Sequence, residues 1–328
     1  MTQRIVIPGG SGQVGTLLAR HFHAEGHQVT VLSRNPQPAP WKTLQWDARS
    51  EGPPDQMWIA ELEAADTVIN LTGRSVNCRY GPANRKAIYD SRIDSTRLLN
   101  RVIASLNHPP RLWMNASTAT IYRHSPNESG REPANDEATG TLGGNEPGAP
   151  DTWNFSIKVA KDWESAFFET EIPNVRKIAL RSAVTFSADK GGVFNVLSNL
   201  VRRGLGGAQG NGRQMVSWIH EADFHAAIDF LIANEDLSGT INLASPNPLR
   251  NRDFMRALRH AWSIPIGLPA PAWLIEIGCF LLQTESELVL KSRHVTSGRL
   301  EAAGFRFQFP EWLAAAASLV QQWRRQHS

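Results

Sequence analysis

Cysteine is scarce in this chain. Cys78 and Cys279 are the only two among 328 residues, and neither belongs to a Cys-x-x-Cys pair. This scarcity argues against a disulfide framework, and a reducing compartment is the simplest setting. The first apolar run begins at Ile5, which leaves no room ahead of it for a signal peptide, so we expect a cytoplasmic protein.

Long apolar runs and blocks of one charge are also missing. The longest apolar stretch, residues 273–282, contains Glu276 and is too short to span a bilayer. The 34 basic and 31 acidic residues are dispersed, with a formal net charge of +3. This small excess suits an anionic cofactor but is not the basic stripe of a nucleic-acid-binding protein. We therefore expect a small-molecule substrate and no membrane or nucleic-acid partner.

A glycine-rich turn directly follows a short apolar run near the start of the chain. Residues 5–15 read Ile-Val-Ile-Pro-Gly-Gly-Ser-Gly-Gln-Val-Gly, and a helical pattern follows. A strand, a tight turn and a helix N-terminus form a cradle for a dinucleotide pyrophosphate. Gly9 permits the turn, Gly12 lets the backbone approach the pyrophosphate, and Gly15 lets helix and strand pack closely. The predicted cofactor residues here are Gly9, Ser11, Gly12, Gln13, Val14 and Gly15.

Apolar runs alternate with helical patterns through the first 181 residues. After the first strand, the strand-like segments are 29–32, 44–46, 66–71, 112–116 and 175–180, and long helices are expected over 82–105 and 151–170. This alternation is typical of βαβ units. It predicts an α/β protein with a Rossmann-type, doubly wound parallel sheet, whose dinucleotide-binding domain covers residues 1–181.

Two regions depart from this alternation. Residues 123–150 are rich in Gly, Pro, Asn, Glu and Ser and are too long for an ordinary connection, so we expect a mobile lid or a partly disordered loop. Beyond residue 181, glycine-rich loops alternate with short helical patterns. We predict that residues 182–328 form a smaller substrate lobe with a family-specific C-terminal segment. This lobe can be interleaved with the first domain.

The residues after the second predicted strand favour NADP(H) over NAD(H). Enzymes that prefer NAD usually place an acid there, on the ribose hydroxyls, but none occurs between His27 and Trp46. Arg34 can pair with a 2′-phosphate, or it is a solvated surface arginine. Asp47 can accept from the adenine amino group, or it caps a turn. The residues predicted to line the adenosine and ribose side after strand 66–71 are Leu71, Thr72 and Gly73.

Further motifs give the chain a resemblance to a known family. They are found at residues 69–73, 86–92, 95–96, 116–122, 163–164, 191–192, 204–207, 215–223, 288–293 and 304–307. Together they resemble an atypical, extended branch of the short-chain dehydrogenase/reductase superfamily. Its members are called epimerase family proteins, NAD-dependent epimerase/dehydratase-like proteins or cell-division-inhibitor homologues. The resemblance implies a Rossmann fold, NADP(H) binding and a family-specific C-terminal segment, and it implies no particular substrate.

The proton relay of that superfamily is missing. The relay uses a tyrosine and a lysine four residues later, because positions i and i+4 share one helix face. The chain has three tyrosines, Tyr80, Tyr89 and Tyr122, and none has a lysine four residues later. Aligned through Trp163, the tyrosine position is Ser156 and the lysine position is Ala160. The chain therefore keeps the cofactor motif without the usual proton donor.

Other polar residues remain as candidates for the site. Thr118 lies at the superfamily's catalytic Ser/Thr position, where it can hold a substrate carbonyl or bond its own backbone. Tyr122 is a replacement acid or a pocket wall. Arg92, placed among the cofactor residues, can reach a phosphate or an acidic substrate group, or pair with a carboxylate on its helix. We expect His220 to fix a turn and Asp223 to cap the next helix, with no metal site.

Two classes of function follow from these features. The first is an NADP(H)-dependent oxidoreductase or epimerase of a small polar metabolite, whose proton comes from a nonstandard donor or from water. The second is a noncatalytic NADP(H)-binding sensor or scaffold, which the missing relay favours. In relatives, the helices corresponding to residues 82–105 and 151–170 often form a dimer face, so a homodimer is one expected assembly, although neither helix has a decisive surface pattern here.

Overall fold

The computed structural model describes residues 2–51, 57–125, 132–144, 146–147 and 149–327. Its first strand begins at Arg4, directly before the apolar run that starts at Ile5. The strands are β1 (Arg4–Pro8), β2 (Gln28–Ser33), β3 (Lys42–Gln45), β4 (Thr67–Asn70), β5 (Leu112–Thr118), β6 (Arg176–Ser182), β7 (Val184–Phe186), β8 (Met215–Val216), β9 (Trp218–His220), β10 (Gly239–Leu243) and β11 (Leu249–Arg250). The helices are α1 (Gln13–Ala24), α2 (Met57–Glu63), α3 (Pro82–Ser105), α4 (Asp151–Phe168), α5 (Val193–Arg202), α6 (Glu221–Ala233), α7 (Asn251–Trp262), α8 (Ala272–Leu281), α9 (Glu287–Leu290), α10 (Gly298–Ala302) and α11 (Trp312–His327).

Within the described residues, seven strands form one parallel sheet in the order β10-β6-β5-β4-β1-β2-β3. The chain runs outward from β1 to β3, returns to place β4 on the other side of β1, and continues outward to β10. The connections after β1 and β4 therefore diverge. Ligands of open α/β sheets bind at such a switch point. The arrangement confirms the predicted Rossmann-type, doubly wound sheet.

Helices cover both faces of this sheet. Successive side chains of a strand point to opposite faces, so Ile5 and Ile7 of β1 join a cluster with Phe22 of α1 and residues of α6. Val6 joins the opposite cluster, which contains Trp113 and residues of α2, α3 and α4. Burial on both faces explains why β1 reads as a continuous apolar run rather than as an alternating one.

The last strand of the sheet lies beyond the predicted domain boundary. β10 pairs with β6 from the register Gly239–Ile178 to the register Leu243–Ser182. The second part of the chain thus completes the main sheet, and it also builds a separate aromatic cluster that contains Trp218 and Trp312. The division at residue 181 stays a prediction, to which the structure adds that the sheet itself crosses this position.

The described part of the stretch 123–150 packs against the rest of the protein. The Asn135 backbone N–H donates to the carbonyl of His294 (2.7 Å), and its side-chain amide donates to the same oxygen (3.0 Å). The Gly143 N–H donates to the carbonyl of Ile121 (2.9 Å). Backbone hydrogen bonds thus hold residues 132–144 against the rest of the protein in this conformation, and the expectation of a mobile lid or a partly disordered loop stays a prediction. Residues 126–131, 145 and 148 lie outside the described residues.

The C-terminal segment runs from α8 to α11. Its first helix, α8, carries several large apolar side chains on its surface. Trp273, Phe280 and Leu281 are 63%, 62% and 72% exposed. The helix has only 10 residues. Among the described residues, none of the helices has the length and apolar character that a transmembrane span requires.

Candidate functional site

A cleft of about 320 Å³ opens at the carboxyl ends of β1, β2 and β4. Its lining includes the predicted cofactor residues Gly9, Ser11, Gly12, Arg34, Asp47, Leu71, Thr72 and Gly73. It also includes residues that the sequence analysis did not select, among them Asn35, Trp46, Arg49 and Arg74. Gln13, Val14 and Gly15 lie in the first turn of α1, behind this lining. The cleft occupies the switch point of the sheet, where the glycine turn predicts it.

The three spaced glycines differ in their surroundings. Gly9 has φ of +73°, and a Cβ there would lie 2.7 Å from the backbone of Thr72. A Cβ on Gly15 would overlap the backbone of Gly10, so α1 packs directly on the turn. Gly12 has φ −74° and ψ 172°, and its added Cβ would find only the Gly9 carbonyl oxygen within 4 Å, at 3.8 Å. Two glycines thus serve the fold, and Gly12 leaves space beside the cleft.

Two polar groups beside the glycine turn have no hydrogen-bond partner in the described part of the protein. These are the side-chain amide nitrogen of Gln13 and the hydroxyl of Thr72, both buried. A buried polar group without a partner costs about 1–3 kcal/mol. The N-terminus of α1 also has no side-chain cap and no acidic residue in its first turn. Free N–H groups and an uncompensated helix dipole suit a bound anion, so this region fits a dinucleotide pyrophosphate.

Asp47 is used by its own turn. Its carboxylate accepts hydrogen bonds from the N–H groups of Arg49 (2.9 Å) and Ser50 (3.0 Å) and from the Ser50 hydroxyl (2.7 Å). Burial acts to raise the pKa of Asp47, but these hydrogen bonds lower it below its ordinary value. The structure therefore shows the turn-capping alternative, with the carboxylate still at the cleft. Arg34 is exposed at the end of β2 and forms no ion pair with a described residue.

A second cavity, of about 240 Å³, lies between the end of β5, helices α3 and α4, and the C-terminal segment. Thr118, Ser156 and Ala160 all line it. The Thr118 hydroxyl accepts a hydrogen bond from the Thr120 N–H (3.1 Å), as the alternative interpretation expected, and it still faces the cavity. The predicted strand-end threonine and the two positions of the missing relay thus come together at one site.

The C-terminal segment brings charged side chains to this second cavity. The Ser156 hydroxyl donates to one carboxylate oxygen of Glu287 (2.6 Å), a residue that is 1% exposed. The other oxygen lies 3.7 Å from the Lys291 ammonium and 3.8 Å from the Arg293 guanidinium. Burial is the main cause that lowers the pKa of Lys291 to about 8. A buried carboxylate therefore stands beside the position that the relay tyrosine would occupy.

Arg92 lies between the cleft and the cavity. It lines the cavity, and its guanidinium carbon would be 3.1 Å from a Cβ added to Gly73, which lines the cleft. Its Nη1 donates to the carbonyls of Arg74 (3.1 Å) and Ile88 (3.0 Å), and the guanidinium carbon is 5.1 Å from the ring centre of Trp163. Burial lowers the pKa of Arg92 to about 10. Arg92 thus lines the cavity and lies against a cleft residue, and its assignment to the cofactor residues stays a prediction.

Tyr122 is not part of either lining. Its side chain is buried, and its hydroxyl donates to Asn242 (3.0 Å) and accepts from Arg181 (2.9 Å). Arg181 also donates to both carboxylate oxygens of Glu164, at 2.8 and 2.7 Å. Burial raises the pKa of Tyr122. The prediction that Tyr122 donates a proton is therefore wrong, since its hydroxyl is held on both sides within the core.

His220 has the helix-capping role that was expected of Asp223. Nδ1 of His220 accepts from the Ala222 N–H (3.0 Å) and caps α6. The Asp223 carboxylate instead accepts from the N–H groups of Gln308 (2.6 Å) and Phe309 (2.9 Å). Asp223 thus ties the C-terminal segment to α6. Within the described ranges, no group of three or more His, Cys, Asp or Glu side chains could hold a metal ion.

The buried histidine should make the fold sensitive to acid. Burial is the main cause that lowers the pKa of His220 to about 4, from an ordinary value of 6.5. The unfolded chain takes up this proton first, so the stabilisation is complete above pH 6.5 and is lost as the pH falls towards 4. His220→Asn keeps a capping acceptor and removes the titration. Between pH 7 and 4, wild type should lose about 3 kcal/mol more unfolding free energy than this variant, measured in urea.

A matched control separates the titration from the packing. The His220 ring stacks on Phe309 at 4.0 Å, and Phe309→Leu removes this contact but keeps the histidine. The control should keep the pH dependence of wild type. Equal pH dependence in wild type and His220→Asn would contradict the assignment.

The residues that sequence reasoning missed lie mainly in the C-terminal segment. Tyr80, Glu287 and Arg293 line the cavity, but Tyr80 was considered only as a relay tyrosine, and residues 288–293 only as a mark of family resemblance. The available signal was a pattern of charged residues, Glu287, Lys291 and Arg293, around the apolar run 288–290. Spacing alone does not connect that pattern with Ser156, 131 residues earlier.

Comparison with known proteins agrees with these features. Residues 5–244 match the model of the NAD dependent epimerase/dehydratase family, and residues 270–319 match the domain of unknown function DUF1731. Epimerase family protein YfhF of Bacillus subtilis is 30% identical over 320 residues, which cover 96% of this chain and 97% of that protein. The mouse epimerase family protein SDR39U1 is 27% identical over 323 residues, covering 97% and 99%.

Solved structures show the same relationship. The crystal structure of human epimerase family protein SDR39U1 (isoform 2) with NADPH has a TM-score of 0.79 and 25% identity, covering 97% of this chain and 99% of that one. UDP-N-acetylglucosamine 4-epimerase from Bacillus cereus has a TM-score of 0.71 at 16% identity, covering 98% and 100%, which indicates the shared fold. This chain therefore belongs to the NAD-dependent epimerase/dehydratase family, in an atypical short-chain dehydrogenase/reductase branch with a DUF1731 segment at its C-terminal end.

Proposed function

We propose that this protein is an NADP(H)-dependent oxidoreductase or epimerase of a small polar metabolite. The observation that carries the proposal is the juxtaposition of the glycine-turn cleft and the Thr118 cavity, with Arg92 between them. The NADPH bound to human SDR39U1 supports the choice of cofactor. A bound nicotinamide dinucleotide would supply or accept a hydride at the substrate.

The cleft residues would hold this cofactor. The glycine turn and the N-terminus of α1 would receive the pyrophosphate, with Gly12 leaving the space for it. Arg34 would pair with the 2′-phosphate, because a guanidinium binds phosphate with two parallel hydrogen bonds. Thr72, whose buried hydroxyl has no partner among the described residues, would bond the ribose side.

The cavity residues would hold the substrate. The Thr118 hydroxyl would donate to the substrate oxygen, while its own oxygen keeps the bond from the Thr120 N–H. The Ser156 hydroxyl would lie close to that oxygen, at the position where the relay tyrosine is missing, and its 2.6 Å hydrogen bond to Glu287 would hold it there. The polar group at this position would then be oriented by the pairing of α4 with the C-terminal segment, rather than by one helix.

A noncatalytic role as an NADP(H)-binding sensor or scaffold is the second candidate. The observation that favours it is Ala160, which leaves the lysine position of the relay with no group that titrates. The same cleft would serve either role, so cofactor binding alone does not distinguish them.

Turnover separates the two functions. Oxidation of NADPH should be measured by absorbance against a panel of aldehydes, ketones, oxo acids and nucleotide sugars. We expect turnover with at least one class, and we expect Thr118→Val to lower kcat by about 100-fold while the Kd for NADPH stays unchanged, since a positioned group contributes ~10²–10⁴-fold. Tight NADPH binding without turnover on any member of the panel would support the sensor instead.

A further inference from the structure

The cavity beside Thr118 carries more positive than negative charge. Arg92, Arg293 and Glu287 are the charged residues among those that line it in the described part of the chain. Two guanidinium groups thus share the space with one carboxylate. The Lys291 ammonium, 3.7 Å from that carboxylate, adds a further cation behind the lining. A buried space with an excess of cations is stabilised by an anionic ligand.

Arg92 has hydrogen-bonding capacity that the protein does not use. Its Nη1 is occupied by the carbonyls of Arg74 and Ile88. Within the described residues, Nε and Nη2 have no hydrogen-bond partner, and no carboxylate forms an ion pair with the guanidinium. The Trp163 ring and the two carbonyls hold the group in one orientation. Nε and Nη2 together form one edge of the planar guanidinium group, and their two parallel N–H donors match the two oxygens of a carboxylate or a phosphate.

Arg293 is held in place differently. Its Nε donates to the Thr120 hydroxyl (3.1 Å), and its Nη1 donates to the carbonyls of Glu287 (3.2 Å) and Lys291 (3.4 Å). Its Nη2 lies 3.8 Å from the Glu287 carboxylate, beyond hydrogen-bond distance. Arg293 is therefore fixed as part of the wall, with a positive charge partly offset by Glu287. Among the described lining residues, Arg92 has two adjacent unused nitrogen donors and no carboxylate partner, so it is the cation better placed to bind a ligand.

The size of the cavity limits what this cation can bind. Its volume of about 240 Å³ lies below the range of roughly 300–1,000 Å³ that is common for ligand pockets. Apolar and aromatic side chains form much of its remaining lining, including Val76, Ile88, Phe155, Val159 and Leu288. Such walls suit a small ligand with one polar head and a short carbon skeleton.

We infer that the cavity accepts a small acidic metabolite whose single carboxylate or phosphate group binds the free edge of Arg92. The inference rests on the proposed function, because it names the substrate class of the same cavity. The anionic group at Arg92 would direct the rest of the molecule towards Thr118 and Ser156, which line the same space. The C-terminal segment would close the site through Glu287 and Arg293.

The experiment compares acidic probes with neutral analogues of the same shape. Calorimetry would measure binding of pyruvate against pyruvamide, and of dihydroxyacetone phosphate against dihydroxyacetone, to the full chain with and without NADPH. We expect one acid of the two pairs to bind at least tenfold more tightly than its neutral partner. The pair that responds distinguishes a carboxylate from a phosphate. Neutral partners that bind as tightly as both acids would overturn the inference.

Variants of Arg92 test the named contact. Arg92→Gln should weaken binding of the preferred acid about ten- to hundredfold, the usual range for a lost charged hydrogen bond, and leave the Kd for NADPH unchanged. Arg92→Lys keeps the positive charge without the paired N–H donors, so we expect an intermediate loss of affinity for the acid. The lysine variant replaces the glutamine variant in this test if the latter does not fold. Arg97 lies on the same helix as Arg92 and forms a surface ion pair with Glu169. Arg97→Gln, which removes that pair, is the matched control and should bind the acid like wild type.

The outcomes separate this inference from the proposed function. Acid binding that is unchanged in both Arg92 variants would overturn the inference even if NADPH is oxidised with another substrate. Acid binding that depends on Arg92, in a protein that does not bind NADPH, would preserve the anion site and overturn the proposed function.

Discussion

Gly12→Val will abolish dinucleotide binding without unfolding the protein. Gly12 has φ −74° and ψ 172°, a conformation open to any residue, and an added Cβ would meet nothing closer than 3.8 Å. The valine methyl groups would occupy the space proposed for the pyrophosphate. We expect at least a 100-fold rise in the Kd for both NADPH and NADH, measured by fluorescence titration. The free energy of unfolding should change by less than about 0.5 kcal/mol, as for most exposed substitutions.

Two variants make this result specific. Gly9→Val should lower stability as well as binding, because Gly9 has φ of +73° and its Cβ would lie 2.7 Å from the Thr72 backbone. Arg34→Ala should raise the Kd for NADPH about ten- to hundredfold and leave that for NADH unchanged, since the lost contact is to the 2′-phosphate. If Gly12→Val binds NADPH like wild type, the cleft does not hold the cofactor.

Glu164→Gln will strongly destabilise the fold. Glu164 and Arg181 form a buried pair, with side-chain exposures of 11% and 9%. The Glu164 carboxylate also accepts from the Ser117 hydroxyl (2.5 Å), directly before Thr118. Removing one charge leaves Arg181 buried without its partner, which costs about 3–5 kcal/mol. Urea unfolding at pH 7 measures this loss.

A surface pair on the same helix is the control. Lys158 pairs with Asp162, but these side chains are 66% and 32% exposed, so Lys158→Gln should cost less than about 1 kcal/mol. The double variant Glu164→Gln, Arg181→Met should recover part of the loss, because no isolated charge remains. Equal losses in Glu164→Gln and Lys158→Gln would show that burial of the pair is not what stabilises this region.

Local patterns were sufficient to predict most of the sheet. β1, β2, β4, β5 and β6 lie at the apolar runs that the sequence analysis selected, because inner strands, covered on both faces, are largely apolar. β3, an edge strand with one buried residue, begins two residues before the predicted segment 44–46. β10 was missed, since Gly239–Leu243 lies at the edge of the sheet and includes two polar residues. One of them, Asn242, accepts from Tyr122, so its place in the core depends on a partner 120 residues away.

The candidate site divides in the same way. The cleft could be predicted because its glycine turn and strand ends are short local motifs, each with its own backbone geometry. The cavity could not, because it needs Ser156 and Glu287 together, and only the tertiary fold makes them neighbours. Tyr122 was misassigned for a related reason: its position at a strand end is local, but Arg181 and Asn242 decide where its hydroxyl points.

The described lining of the cleft comes entirely from residues 9–91, whereas the cavity also takes Glu287, Leu288 and Arg293 from the far end of the chain. If the proposed function holds, mutations at these three late positions would alter the substrate cavity without touching the described lining of the nucleotide cleft. A lineage could then diversify its substrates without first losing its cofactor.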